Sequence, residues 1–128
     1  MKSVLLISHG SHSPKTKHEV EALIKRLKPL CDFEIFEYAF LEIEKPGIPE
    51  GIDLCVRKGA RDITILLNFL NSGKHVDEDI PRIIREAKTK YPSVNFRITI
   101  PVGQHSKITE LFLDLLKSGS LTKSVGKK

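Results

Sequence analysis

Two short apolar runs limit what this chain can fold into more than any other feature. Ser3-Val4-Leu5-Leu6-Ile7 and Ile63-Thr64-Ile65-Leu66-Leu67 are rich in branched side chains and lack clean polar alternation. That pattern belongs to strands buried on both faces by helices. Neither run approaches the length that spans a bilayer.

Between the runs the apolar period changes to three and four. From Lys15 to Leu30 the apolar positions Val20, Leu23, Ile24, Leu27 and Leu30 share one face, while Lys17, Glu21, Lys25 and Lys28 take the other. Pro29 limits the last turn. Asp32 to Phe40 reads as a second strand, with Phe33 and Ile35 on one face and Phe36, Tyr38 and Phe40 on the other, a shift of parity that leaves the register open. Glu50 to Lys58 reads as a short helix burying Ile52, Cys55 and Val56, with Gly59 as its left-handed cap. After Ile63 to Leu67 comes a polar loop, Asn71 to Val76, and then a helix capped by Asp77 or Asp79. That helix buries Ile80, Ile83, Ile84 and Ala87. Val94 to Pro101 is expected as the fourth strand, and Ser106 to Lys117 as a last helix with Ile108, Leu111, Phe112 and Leu115 inside.

The order β-α-β-α-β-α-β-α predicts an α/β fold: a three-layer sandwich around a four-stranded, mostly parallel sheet with right-handed crossovers. A flavodoxin-like strand order 2-1-3-4 places the loops after the first and third strands at the topological switch point, where such folds bind ligands. One domain over 1–117 and a flexible basic tail over 118–128 are expected.

Charge and cysteines narrow the function classes. The net charge is +5, but Lys123, Lys127 and Lys128 lie in the tail, which leaves a weakly basic body without an aromatic-interleaved stripe. Nucleic acid is therefore not the expected partner, while an acidic small molecule stays open. The amino-terminal apolar run is broken by Ser8-His9-Gly10, so it reads as a strand rather than a signal segment. Cys31 and Cys55 match no metal-ribbon spacing and read as reduced thiols, which with the absence of a membrane span points to the cytoplasm.

The chemistry-bearing residues gather at the predicted switch point. His9 follows the first strand and precedes Gly10, whose missing side chain permits close approach. His75 lies beyond the third strand. Each could be a histidine bonded to its own loop, yet the pair together suits metal binding or proton acceptance near neutral pH. Glu42 and Glu44 follow the second strand at the same sheet edge, where a carboxylate could join as a third ligand or relay, or simply be solvated. Lys45 and Lys74 add positive charge suited to a carboxylate-bearing substrate. His12 and His18 read as surface residues, and His105 as at most a substrate contact. Neither GxGxxG nor GxxxxGK[ST] is present, which sets aside dinucleotide and P-loop sites.

The blocks strand-His9-Gly10-Ser11, Phe40-Leu41-Glu42 with Pro46, Ile48-Pro49-Glu50-Gly51-Ile52, Gly59-Ala60, and Phe69-Leu70-x-x-Gly73-x-His75-x-x-x-Asp79-Ile80-Pro81 follow one another in order. Together they resemble the small CbiX-type sirohydrochlorin chelatases of the class II chelatase family. The resemblance implies a chelatase-like domain that homodimerises so that two equivalent domains face each other. It implies His9 and His75 as the metal-binding and proton-abstracting residues, with Glu42 as a matching acid. Phe69, Leu70, Asn71, Ser72, Gly73 and Lys74, with Lys45, would contact the macrocycle. Gly47 and His12 depart from the family pattern, which often has serine and arginine there. The implied activity is insertion of Co2+ into sirohydrochlorin for cobalamin biosynthesis, with nickel and iron(II) as rival metals. The metal is a substrate, and no permanent cofactor is expected. A metal or tetrapyrrole carrier that does not turn over, or a plain interaction module, are the readings from other classes.

Overall fold

Residues 1–118 are described by a computed structural model. Of the basic tail expected over 118–128, Ser118 instead ends the last helix and 119–128 lie outside the described residues.

The first apolar run forms β1 (Lys2–Ser8), and the chain then continues through α1 (Pro14–Leu27), β2 (Ile35–Phe40), α2 (Ile48–Arg57) and β3 (Asp62–Leu67). A five-residue π turn (His75–Asp79) runs directly into α3 (Ile80–Lys90), followed by β4 (Asn95–Ile98) and α4 (Ile108–Ser118). The strands form one sheet in the order β2-β1-β3-β4, and every pairing is parallel. The expected topology is the observed one.

Period-two alternation divides the core between the two sheet faces. Leu5, Ile7, Ile35, Ala39, Ile63, Ile65 and Leu67 pack with Ile48, Ile52 and Cys55 of α2 and Ile80 and Ile84 of α3. Leu6 and Phe40 look the other way, onto Val20, Leu23 and Ile24 of α1. Cys55 is buried and its thiol is pushed up to about 11 by that burial, as expected of a reduced core cysteine. Gly59 has φ 102 and ends α2 as the left-handed residue expected there.

Several boundaries and one helix differ from expectation. The outer strands are shorter than expected: β2 begins at Ile35 rather than Asp32, and β4 spans only Asn95–Ile98. Pro29 turns the end of the first helix into a 3-10 turn, Lys28–Leu30, and Leu30 is left exposed rather than buried. The largest difference is α4. Phe112 is 57% exposed and Leu115 49%, and Leu111, Leu113 and Leu116 are also exposed. The helix forms with the expected amphipathic pattern but packs mainly on the turn Val102–Gln104 rather than on its own sheet.

Candidate functional site

The parallel register of β1 with β2 does not stop at the last strand pair, Ser8 with Phe40. It continues through Leu41 N–H to the Ser8 carbonyl at 2.9 Å and Glu42 N–H to the His9 carbonyl at 3.1 Å. Backbone hydrogen bonding therefore places His9 and Glu42 side by side. Gly10, at φ 106, permits this approach: a Cβ there would lie 1.9 Å from the Glu42 carbonyl oxygen. Only glycine fits both the backbone angle and the space.

Glu42 also opens a strained turn. The Glu44 N–H donates to the Glu42 carbonyl at 2.8 Å, and the residue between them, Ile43, has φ 72. An i to i+2 bond around a positive φ is the rare form of γ-turn, and a branched side chain makes it costlier. The Glu44 carboxylate meanwhile accepts from Ser11 N–H at 2.9 Å, tying the β2 loop to the β1 loop a second time.

The third element arrives from β3. Asn68 N–H donates to the Ile7 carbonyl at 2.9 Å, and its side-chain amide donates to Ser8 Oγ at 3.0 Å, so the β3 exit stays beside β1. Phe69 is half-buried against the core, whereas Leu70, Asn71, Ser72, Gly73 and Lys74 are exposed. A neighbouring turn supports this stretch. Gly103 N–H donates to the Phe69 carbonyl at 3.0 Å, and a Cβ on Gly103 would sit 1.8 Å from the Leu70 carbonyl oxygen.

His75 lies at the start of a helical turn, not in the expected polar loop. Asp77 N–H bonds the Gly73 carbonyl at 2.7 Å and Ile80 N–H bonds the His75 carbonyl, winding the segment as a π turn rooted by buried Val76 and Ile80. Neither Asp77 nor Asp79 caps α3 as expected. Asp79 instead accepts from His75 Nδ1 at 2.8 Å, and this bond holds its carboxyl below the usual carboxylate range.

The rings of His9 and His75 come within 5.6 Å of each other, centroid to centroid. His9 Nε2 is 3.8 Å from the Glu42 carboxylate. One ligand atom each from His9, Glu42 and His75 fall within 4.8 Å of one another. The three side chains are about half exposed. Hydrogen-bond partners also fix which nitrogen faces the cleft. His9 Nδ1 meets the Gly10 carbonyl at 3.2 Å, and a carbonyl can only accept, so the neutral ring carries its proton on Nδ1. The carboxylate of Asp79 does the same for His75. Both rings then keep an Nε2 lone pair for an incoming ligand.

The structure thus joins His9, His75 and Glu42, the three residues expected from the sequence. Lys45 is exposed on the same β2 loop, before a cis peptide to Pro46. His12 is exposed and outside the cluster, and His18 faces Glu21 on α1. His105 Nδ1 accepts from Lys107 N–H at 3.0 Å at the start of α4. Asp79, Asn68 and Gly103 were not anticipated in these roles. The His75 to Asp79 spacing of four was the one available signal.

Sequence comparison bears on the same residues, since the CbiX family model matches residues 3–118, which include the whole cluster. This chain belongs to the CbiX family. The CbiX chain is 41% identical over 112 residues to the sirohydrochlorin cobaltochelatase of Priestia megaterium, covering 87% of this chain and 36% of the relative. A sirohydrochlorin ferrochelatase of the same organism is 30% identical over 123 residues, covering 96% and 46%. The crystal structure of the sirohydrochlorin chelatase SirB from Bacillus subtilis subspecies spizizenii in complex with cobalt is similar with a TM-score of 0.82 at 28% identity, over 91% of this chain and 50% of that one. The chain spans half or less of the length of these relatives. Among the described residues no helix is long and apolar enough to cross a membrane.

Proposed function

We propose that this CbiX chain is a sirohydrochlorin chelatase that inserts a divalent metal, cobalt(II) by preference, in cobalamin biosynthesis. The observation that carries the reading is the open trio of His9, Glu42 and His75, with donor atoms within 4.8 Å of one another. A storage or structural site would close the coordination sphere, whereas a metal that must be handed on needs few protein ligands and free positions. Two imidazoles and a carboxylate at an exposed sheet edge meet that need.

The reaction exchanges two pyrrole N–H protons for one metal ion. The cation sheds water as it meets the Nε2 lone pairs and the Glu42 carboxylate. Neutral imidazole is a base near physiological pH, so an Nε2 not holding metal can take a pyrrole proton and pass it to solvent. Phe69 to Lys74 and Lys45 would lie against the macrocycle, with the lysines beside its carboxylates. Nothing in the ligand set selects cobalt, because intrinsic affinity rises from iron(II) through cobalt to nickel for any such site. Support for cobalt comes from the higher identity with a cobaltochelatase than with a ferrochelatase.

The active form in this reading is a homodimer. One open sheet edge is too shallow to enclose a tetrapyrrole, and the apolar residues of α4, among them Leu111, Phe112 and Leu115, are exposed among the described residues. A second copy supplies both the facing half of the cleft and the missing cover. Two free thiols, Cys31 and Cys55, suit the reducing cytoplasm as its compartment.

The deciding experiment follows sirohydrochlorin absorbance with substoichiometric protein and cobalt(II), nickel(II) or iron(II) in parallel. Many turnovers, fastest with cobalt, are expected. A single stoichiometric change would instead identify a carrier, and faster insertion of nickel or iron would overturn the metal assignment.

A further inference from the structure

The two cleft histidines are held by different devices. His9 Nδ1 rests on the carbonyl of the next residue, a backbone group that no substitution removes. His75 Nδ1 rests on the side chain of Asp79, four residues away across the π turn. Asp79 is itself held on its far side: Arg82 Nη2 lies 3.8 Å from Oδ1, while Oδ2 takes the bond from His75. The carboxylate side chain is 23% exposed against 47% for the imidazole, so the acid lies inside the turn and the ring outside it. Its position just before α3 would suit a cap, yet no capping bond is made by its side chain.

We propose that Asp79 is a positioning residue, which keeps His75 in the Nδ1–H tautomer and turns its Nε2 lone pair into the cleft shared with His9 and Glu42. Free neutral imidazole rotates about two side-chain torsions and exchanges its proton between nitrogens. With Nδ1–H committed to a fixed carboxylate, both freedoms are removed before any ligand arrives. The π turn contributes by setting His75 and Asp79 within bonding distance on one face, while buried Val76 and Ile80 fasten the turn to the core. The inference deepens the chelatase reading, resting on it only for what the oriented nitrogen is used for.

The test compares wild type, Asp79→Ala and Asp79→Asn, the last retaining an acceptor oxygen of similar reach. Long-range nitrogen–proton NMR of the metal-free, tetrapyrrole-free protein, at a pH where imidazole is neutral, reports the His75 tautomer directly. Titration with cobalt(II) alone reports affinity. Wild type is expected as Nδ1–H, and Asp79→Ala as predominantly Nε2–H with cobalt binding weakened about 10- to 100-fold. Asp79→Asn should recover the Nδ1–H form and most of the affinity. Three results would each overturn the proposal: an Nε2–H His75 in wild type, an unchanged tautomer or affinity in Asp79→Ala, or an Asn variant no better than Ala. If Asp79→Ala does not fold, the wild-type tautomer and the Asn variant still decide. Because the tautomer is read without metal or macrocycle, its outcome is separable from a failure of the insertion assay, which would sink the chelatase reading alone.

Discussion

Ile43 occupies a backbone conformation that branched residues avoid, next to Glu42, the carboxylate of the three-residue cluster. Left-handed backbone costs a residue with a Cβ about 1–2 kcal/mol, and glycine would relieve it at a smaller entropic cost. Ile43→Gly should therefore raise unfolding stability by about 1 kcal/mol in urea titrations. Cobalt binding by the same variant should weaken as Glu42 loses its fixed turn. Gly10 behaves in the opposite sense. Gly10→Ala drives a Cβ into the Glu42 carbonyl, so it should cost about 1–3 kcal/mol and displace Glu42 from His9. His9→Ala and His75→Ala should each lower insertion at least about 100-fold, the range of a lost general base or ligand. Retained activity in either variant would refute that residue's role. At this scale the sequence was most informative where chemistry is rare: histidines after buried strands are few, and both found the cleft. Its signal for Asp79 was weak, since an acid at the start of a helix is normally a cap, and only the spacing of four from His75 hinted at the bond that forms across the turn.

Among the elements, α2 and α3 are pinned to each other by a polar cluster at their outer edge. Tyr91 O–H donates to Asp53 at 2.6 Å and Lys90 approaches the same carboxylate at 3.2 Å. These contacts, the tyrosine bond first, hold the Asp53 carboxyl below its ordinary value. A carboxyl depressed in the folded state contributes stability that is present above its unfolded pKa and lost as pH falls through its folded one. Asp53→Asn should thus cost about 1 kcal/mol at neutral pH and flatten the acid side of the stability profile, as measured by thermal melts across pH. The helices and central strands were legible because each buries a periodic face within one chain. The same logic misread α4. An apolar stripe at Leu111, Phe112 and Leu115 records that a surface is covered, and says nothing about which molecule covers it. For the proposed homodimer, Phe112→Glu with Leu115→Glu should leave the domain folded by circular dichroism and give only monomer in sedimentation.

The whole molecule is a sheet whose hydrogen-bond register, carried past the strand ends, assembles a three-residue cluster from loops far apart in sequence. Strand order was readable because parallel crossovers allow few topologies, and the switch point followed from it. The preferred metal was not readable, since coordination strength ranks metals alike in any site of this kind. What α4 leaves uncovered carries a consequence for dosage. In the proposed homodimer, a cleft completed by two copies would form in proportion to the square of chain abundance when the protein is scarce, so halving expression in that regime would cut its amount about fourfold. A chelatase of that proposed form would be regulated steeply through the number of chains made, with no effector bound to any of them.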